Sequence, residues 1–440
     1  MHAVKALTRP PVQFARPVVG LLRGATPDAY APTLEWTPRL ADAVQTPGVL
    51  FAAAKEDALA CGESVQTHVH RITMNAECWL SKHDAHGRAD LKARLQRHAP
   101  FSSHITVLCG GISTGKSTLL KKLVPPKRGW QWESRPDALM PVRVNGRGTL
   151  NLDIALREEL DARGCITAAS NPDSTTVALL RALASHAEER NLRPVLFVDE
   201  ASRVLDTYGG ALHKVTTNMP LPLLDTMSAL LELAKVERRM GVVLVTSDAG
   251  YPAALADAMG LTMARNLRVV HAGEVEPFDM LELMTTKGAT GPQEKVPTWG
   301  CHMVLPNVSG WGVGDSVAHL LVDVLGGDIR LIVMALHKLA TEGENFRLQT
   351  VLPPTDTHCA LYFGNRGIAV RDVQAVQRRL AVDGVTVLPD SGHPIARWLG
   401  RENMGLVLGP GRKKQGVAVV PVTQSVRVAL LSGLHYAGSN

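Results

Sequence analysis

The chain has 440 residues, of which 45% are hydrophobic and 20% are charged, and its formal net charge is +6. This length predicts two or three domains, and the composition is typical of a globular protein. The modest positive charge permits phosphate-rich partners without indicating them. No apolar run reaches the roughly 20 residues of a membrane-spanning helix, so we expect no membrane insertion. The nearest candidate, Val317–Leu339, contains Asp323, Asp328 and Arg330, and we expect a buried helix there.

The N-terminal segment is basic and has no acidic residue before Asp28. Such a leader resembles an organelle transit peptide, but prolines interrupt it and serine is absent. We therefore favour a disordered basic tail over residues 1–45, and mitochondrial import is the alternative. The expected location is intracellular, in the cytoplasm or the nucleus.

The six cysteines are scattered and form no CxxC pair, which suits a reducing compartment rather than a disulfide framework. They are Cys61, Cys78, Cys109, Cys165, Cys301 and Cys359. Four potential metal ligands lie close together in the sequence, namely Cys61, His68, His70 and Cys78. Their spacing matches no zinc pattern, so we favour unrelated core and surface residues over a metal site.

The central part of the chain alternates between short apolar strands and amphipathic helices. Residues 46–100 are polar and helical in pattern, and the alternation covers residues 101–275. The predicted strands are Ile105–Leu108, Pro141–Val144, Val195–Val198, Val242–Thr246 and Leu267–Val270. The predicted helices are Ser117–Leu123, Leu152–Arg163, Ser174–Arg190, Leu223–Arg239 and Pro252–Met263. This pattern predicts an α/β fold in which helices sandwich a mainly parallel sheet.

The C-terminal part is predicted to contain a lid and a small module. A linker rich in glycine, threonine and proline is expected over Thr285–Pro297, within a helical lid that covers residues 276–345. In residues 346–440, a helix at Val370–Leu380 precedes short strands. The strands are Gly384–Leu388, Gly405–Leu408 and Gly416–Val422. A helix followed by a hairpin predicts a winged-helix-like module.

A glycine-rich segment follows the first predicted strand and opens the first helix of the core. Its residues, Gly110, Gly111, Ile112, Ser113, Thr114, Gly115, Lys116, Ser117 and Thr118, contain the phosphate-loop pattern G-x4-G-K-S. Glycines let backbone N–H groups approach phosphate oxygens, and the helix points its positive N-terminus at the anion. Lys116 offers a point charge to the β- and γ-phosphates, and Ser117 offers a hydroxyl to Mg²⁺. The segment predicts a P-loop site for a nucleoside triphosphate.

Two acidic residues follow the strand Val195–Val198, at the carboxyl edge where open α/β sheets bind ligands. We expect Asp199 to hold Mg²⁺, either through water or together with Ser117. Glu200 is then the catalytic group that polarises the attacking water.

A polar tip, Thr246–Asp248, ends another apolar strand. In ATPases with a strand inserted between the phosphate-loop strand and the acidic strand, such a tip contacts the γ-phosphate or the attacking water, with Thr246 as the candidate here. A helix cap for the stretch that begins at Pro252 is an equal alternative, and both can hold.

The strings GGISTGKST, LFVDE, LVTSD and LGGDIRLIVMAL occur in this order between residues 102 and 339. They resemble the additional-strand, catalytic-glutamate ATPases, and among these the AAA+ and STAND ATPases. The chain looks most similar to the archaeal-type ATPases and to the ATPase domains of retrotransposon-hot-spot and Crinkler-like proteins. The resemblance implies ATP and Mg²⁺ as ligands, and the guanine-binding string of G proteins is absent.

The same resemblance implies roles for arginines. Arg330, which follows Gly326–Asp328 at a helix start, would be a sensor arginine that reaches the nucleotide. The residues alone equally allow a solvated arginine on the first turn. Arg265 or Arg268 would be an arginine finger, although a solvated helix C-terminus is the simpler alternative. Arg147, after the strand Pro141–Val144, is another basic residue at a carboxyl edge, and the archaeal-type families often have an arginine nearby.

These features predict Mg²⁺-dependent ATP hydrolysis coupled to remodelling of a nucleic acid or protein partner, in a chain that can form a homo-oligomer. The alternative is a STAND-like switch with slow hydrolysis, and a small-molecule kinase is less favoured because no acceptor-binding lid is visible. Basic residues of the C-terminal module can face nucleic acid or simply keep a hairpin soluble. They are Arg378, Arg379, Arg412, Lys413 and Lys414.

Overall fold

A computed structural model describes residues 43–82, 95, 103–111, 114–123, 138–146, 152–162, 175–206, 221–275, 277–286, 291–298, 301–307, 310–353, 369–389, 393–401, 404–408 and 416–437. By their contacts these residues form two compact units. The first unit comprises the described parts of Met1–Gly87, Glu274–Thr386 and Val420–Asn440, and the second those of Arg88–Gly273 and Val387–Val419. The domain boundaries inferred from the sequence stay a prediction.

A five-stranded parallel sheet forms the centre of the second unit. Its strands are β1 (Ile105–Cys109), β2 (Ala138–Asn145), β3 (Leu192–Asp199), β4 (Gly241–Thr246) and β5 (Leu267–His271), in the spatial order β2-β3-β4-β1-β5. β4 therefore lies between the strand that leads into the glycine-rich loop and the strand that ends in Asp199. All five predicted strands are confirmed. β1 and β4 are buried along their whole length, as central parallel strands with continuous apolar sequences are expected to be.

Two hydrophobic cores lie against this sheet, and alternate residues of each strand contribute to them. Along β4, Val242 and Leu244 belong to one core, and Val243 and Val245 belong to the other. Successive side chains of a strand point to opposite faces, so the sheet is packed on both faces. The helices of this unit are α3 (Lys116–Leu123), α4 (Leu152–Ala162), α5 (Thr176–Glu188), α6 (Ala201–Asp206), α7 (Leu221–Leu231) and α8 (Tyr251–Ala264).

A small second sheet contains β8 (Thr386–Leu388), β9 (Gly405–Leu408) and β10 (Val417–Pro421), in the order β8-β10-β9. A helix that the sequence did not predict, α13 (Pro394–Arg401), lies between β8 and β9 in the chain and packs against β9. In the chain, α12 (Val370–Val382) precedes β8, and the winged-helix-like module stays a prediction. The five-stranded parallel sheet, packed on both faces, confirms the predicted α/β fold class.

The first unit is mainly helical. Its remaining helices are α1 (Val49–Cys61), α2 (Val65–Lys82), α9 (Pro277–Thr285), α10 (Asp315–Leu325), α11 (Ile329–Glu342) and α14 (Gln424–Ala437). Trp79 and Trp311 meet edge to face in its core, with ring centroids 5.9 Å apart. α10 is largely buried, as expected for Val317–Leu339, and no helix within the described residues is long and apolar enough to cross a bilayer.

One element of the first unit corrects the sequence interpretation. Strands β6 (Gly291–Thr298) and β7 (Cys301–Asn307) pair in antiparallel fashion, so the linker predicted over Thr285–Pro297 is wrong. A two-stranded sheet tolerates the prolines of β6, because both of its strands have an unpaired edge. The partner segment, CHMVLPN, supplies the backbone groups that make β6 a strand despite its linker-like composition.

Candidate functional site

The glycine-rich loop joins the end of β1 to the start of α3. The Lys116 ammonium donates hydrogen bonds to the carbonyl oxygens of Gly110 at 2.9 Å and Gly111 at 2.7 Å, and to the Thr114 hydroxyl at 3.2 Å. Lys116 is buried, so the loop folds around its charged group at the N-terminus of α3. The positive charge and the positive end of the helix therefore coincide, which is the arrangement that binds anions.

The first glycine of this loop is required by a close backbone approach. A Cβ at Gly110 would overlap the carbonyl oxygen of Ala272, and the Ala272 N–H donates to the Cys109 carbonyl at 2.6 Å. The segment after β5 thus packs directly on the loop, and only glycine leaves room for it. Ile112 and Ser113 lie outside the described residues.

Asp199, the last residue of β3, contacts both α3 and β2. It ends β3 with 2% of its side chain exposed, and its Oδ1 accepts a hydrogen bond from the Ser117 hydroxyl at 3.3 Å. Its Oδ2 forms an ion pair with the Arg143 guanidinium of β2, with Nη2 at 2.7 Å. The sheet thus brings together Ser117 and Asp199, the two residues predicted to hold a metal ion. Hydroxyl and carboxylate oxygens are donors of the type that Mg²⁺ prefers.

Glu200 has a left-handed backbone conformation, with φ of 54°. Its carbonyl oxygen accepts hydrogen bonds from the N–H groups of Arg203 at 2.9 Å and Val204 at 3.2 Å, which begin α6. This conformation costs a residue with a side chain about 1 to 2 kcal/mol. Such strain at a strand end, beside a buried acid, is concentrated at functional sites in proteins.

The polar tip of β4 lies level with the start of the loop, because Thr246 is the register partner of Cys109. The fully buried Thr246 hydroxyl contacts Ser202 Oγ at 3.1 Å and accepts a hydrogen bond from the Asp248 N–H at 3.0 Å. Asp248 Oδ1 accepts from the Gly250 N–H at 2.8 Å, just before α8. The side chain of Asp248 thus orders the entry to α8, in agreement with the capping alternative.

The thiol of Cys109 lies at the base of the loop but is not reactive. Burial raises its pKa to about 12, although the nearby Lys116 charge acts in the opposite direction. A thiol with this pKa is protonated at neutral pH, so it is a poor nucleophile there.

Arg330 belongs to the other compact unit, on the exposed first turn of α11. Asp328 caps this helix, because its Oδ1 accepts hydrogen bonds from the N–H groups of Arg330 at 3.1 Å and Leu331 at 3.2 Å. The helix entry expected from the sequence is therefore present. A sensor role for Arg330 stays a prediction.

The two glycines before this helix have a packing role of their own. A Cβ at Gly327 would overlap the carbonyl oxygen of Val275, and one at Gly326 would overlap the Glu274 carboxylate. Glu274 also accepts hydrogen bonds from the N–H groups of Gly327 at 3.4 Å and Gln424 at 2.9 Å. The glycine pair thus lets the segment around Glu274 lie against the helix entry.

The other basic candidates are dispersed. Arg265 and Arg268 are exposed at the end of α8 and in β5, and Arg378 and Arg379 are exposed on α12. Arg147 and the basic residues Arg412, Lys413 and Lys414 lie outside the described residues. The roles suggested for them stay predictions.

The N-terminal cluster of potential ligands is only partly the one considered from the sequence. Cys61 and His68 lie with Glu63, so that one ligand atom of each falls within 4.8 Å of the others. Glu63 is paired at 2.6 Å with both Arg71 and His68, and hydrogen bonding from Arg71 lowers its pKa. Arg71 Nη2 thus contacts two of the three potential ligands, Glu63 Oε1 at 2.6 Å and His68 Nδ1 at 3.1 Å.

Sequence reasoning missed Arg143 altogether. The available signal was a single charged residue inside a strand predicted to be buried, because such a charge must find a partner. The partner could not be identified, since it depends on β2 and β3 being neighbours with Asn145 level with Asp199.

No protein-family model matches the sequence, and no curated protein matches it either. Solved structures with a similar arrangement include a Walker-type ATPase of Pyrococcus abyssi, with 13% identity, a TM-score of 0.45, and coverage of 78% of this chain and 95% of that one. Cdc6p of Pyrobaculum aerophilum has 14% identity and a TM-score of 0.34, with 82% and 96% covered. The ORC1 protein of Aeropyrum pernix, solved in complex with DNA, has 14% identity and a TM-score of 0.35, with 83% and 98% covered.

Similarities at this level say nothing about activity, and the fold is identified by its own topology. The five strands are parallel and lie in the order β2-β3-β4-β1-β5, and a glycine-rich loop joins β1 to α3. The fold of this chain is that of the P-loop nucleoside triphosphatases.

Proposed function

We propose that the chain binds ATP with Mg²⁺ at the loop of residues 110–118 and hydrolyses it, as an AAA+-like ATPase that remodels a nucleic acid or protein partner. The observation that carries the proposal is the hydrogen bond between Ser117 and Asp199, at 3.3 Å. These residues come from different elements and meet at the carboxyl edge of the sheet, beside a buried lysine. The glycine-rich loop, the Lys116 cation and the Asp199 carboxylate thus lie at one edge of the sheet, as a site for a metal-bound phosphate requires.

Each residue has a role that follows from its surroundings. Lys116 and the N–H groups of the loop bind the β- and γ-phosphates, and α3 directs its positive end at them. Ser117 and Asp199 would hold Mg²⁺, whose charge would offset that of the phosphates. Glu200 accepts a hydrogen bond from the attacking water and orients it toward the γ-phosphorus. Thr246, one strand away at the same edge, is suited to contact that water or the γ-phosphate.

The test is ATP binding and turnover by the wild-type chain and by Lys116→Ala. We expect the variant to lose at least about a hundredfold in affinity or turnover, because its phosphate loop lacks the lysine charge. Unchanged affinity and turnover in Lys116→Ala would overturn the site assignment.

The same measurements separate a motor from a regulatory switch. Continued turnover that DNA, RNA or a protein partner stimulates supports the motor. A single burst followed by tight retention of the product nucleotide would instead identify the STAND-like switch.

Nucleic acid is the partner class to test first, because basic residues lie on α12 and, in the sequence, between β9 and β10. Neutralising Arg412, Lys413 and Lys414 together should weaken binding and reduce the log–log salt slope by roughly 2 to 3 units. ATP binding by this variant should be unchanged. Absence of binding by the wild-type chain at low salt would remove nucleic acid as the partner.

A further inference from the structure

The carboxylate of Asp199 has two different partners, one on each oxygen. Oδ1 accepts from the Ser117 hydroxyl at 3.3 Å, and Oδ2 contacts Arg143 Nη2 at 2.7 Å. The acid is 2% exposed and the arginine side chain 19% exposed, so little water screens the pair. The oxygen toward Ser117 faces the proposed metal site, while the other oxygen is held by a fixed cation.

Arg143 reaches Asp199 from a neighbouring strand. It lies in β2 opposite Phe197, two residues before the level of Asp199, so only a long side chain spans the interval. Its Nη2 contacts the acid, while its buried Nε has no hydrogen-bond partner among the residues that the structure describes. The described contact of the Arg143 guanidinium is therefore with the Asp199 carboxylate.

The charge of this edge explains what the cation can do. A polyphosphate that enters the loop meets Lys116 but also approaches Asp199, and an uncompensated buried carboxylate would repel it strongly. Arg143 compensates that carboxylate before any metal ion is present. Arg143 also repels a metal ion that binds beside Asp199, because both are positively charged. The protein without nucleotide therefore binds the metal ion less tightly.

We propose that Arg143 is a positioning residue that acts as the built-in counter-ion of Asp199, so that a nucleotide polyphosphate can bind before the divalent metal ion. The proposal rests on the proposed function, because it concerns the same site. It predicts that metal ions improve nucleotide affinity only modestly in the wild-type chain. Without Arg143, nucleotide binding becomes strongly dependent on the metal.

The experiment measures the dissociation constant of ADP by calorimetry, once with EDTA and once with excess MgCl₂. The quantity of interest is the ratio of the dissociation constant in EDTA to the dissociation constant in MgCl₂. In Arg143→Met we expect affinity in EDTA to fall at least about tenfold, while affinity with MgCl₂ changes by less than about threefold. A purely structural role would weaken both affinities alike and leave the ratio unchanged. An unchanged ratio therefore overturns the proposal.

Two further variants check the charge argument. Arg143→Lys keeps a cation and should retain most of the wild-type ratio. The control Arg181→Met removes an arginine that pairs with Glu232 at 3.0 Å on the surface of the same unit, and it should leave the ratio unchanged. A ratio that rises equally in Arg181→Met would overturn the assignment to Arg143.

Asp199→Asn tests the proposal even if Arg143→Met does not fold. Here Arg143 keeps its charge but loses its carboxylate, so ADP affinity in EDTA should rise about fivefold or more. Weaker or unchanged affinity in EDTA overturns the proposal. If the wild-type chain binds neither ADP nor ATP in either buffer, the proposed function itself fails. Wild-type binding without the expected shifts refutes only the role of Arg143.

Discussion

The two compact units each contain a buried aspartate, and the two carboxylates have different kinds of partner. In the first unit, Asp57 of α1 accepts the N–H of Ser316 at 3.2 Å and that of Val317 at 3.0 Å. These groups open α10, whose N-cap residue, Gly314, has no side chain to offer. Asp57 therefore caps a helix from a distant part of the chain, and the fold alone explains its burial.

In the second unit, the buried aspartate is bound by side chains instead. Asp199 contacts a hydroxyl from α3 and a guanidinium from β2, and within the described part of the chain its carboxylate caps no helix. The sheet does not need these contacts, since its strands are already joined by backbone hydrogen bonds. The comparison teaches that the kind of partner, more than burial itself, separates a structural acid from a functional one.

The largest expected effect distinguishes the role of Glu200 in hydrolysis from that of Asp199 in Mg²⁺ binding. Glu200→Gln should leave nucleotide binding intact and slow hydrolysis at least about a hundredfold, because an amide cannot act as a general base. Single-turnover ATP hydrolysis measures this directly. Asp199→Asn should instead abolish the effect of Mg²⁺ on binding. If both variants change Mg²⁺-dependent binding alike, the division of roles between the two acids is wrong.

The structural acid gives the next effect. Asp57→Ala should lower the free energy of unfolding by roughly 2 kcal/mol, because the first turn of α10 loses its acceptors in a buried setting. Asp57→Asn should cost less, since its amide oxygen still accepts one hydrogen bond. Calorimetric unfolding measures the change, and nucleotide affinity of the folded variants should match the wild type. Loss of affinity without loss of stability would contradict the structural assignment.

A smaller effect tests the strain at Glu200. Glu200→Gly should be about 1 kcal/mol more stable than Glu200→Ala, because glycine adopts a φ of 54° without the steric cost. Both variants lack the carboxylate, so the difference isolates the backbone. Chemical denaturation of the two variants side by side measures it. Equal stabilities would show that the left-handed conformation is not maintained in solution.

The last prediction concerns a partly buried acid of α10. Burial raises the pKa of Asp323 to about 7, from 3.8 in the unfolded chain. Between these values the folded state holds a proton that the unfolded state has released, so the free energy of unfolding falls as pH rises. Asp323→Asn removes this loss, and its melting temperature should exceed that of the wild type by about 2 °C or more at pH 8. At pH 4 the two proteins should melt together, and a constant difference at both values would contradict the raised pKa.

The sequence determined the elements that depend on local pattern. The five core strands could be located because each is a short, mainly apolar run, and the loop of residues 110–118 because its glycines and lysine lie close together in the chain. Asp199 could be placed at the carboxyl edge for the same reason, since it directly follows Val198. These signals do not require knowledge of which elements are neighbours.

Tertiary structure alone decided the features that join distant segments. Arg143 meets Asp199 only because β2 and β3 pair in parallel with a particular register, and Asp57 meets α10 across some 260 residues of chain. β6 is a strand because β7 pairs with it, against the indication of its own composition. The physical reason is common to all three. A hydrogen bond or ion pair depends on which groups the fold brings within 3 Å or so, and side-chain spacing along the sequence carries no record of that.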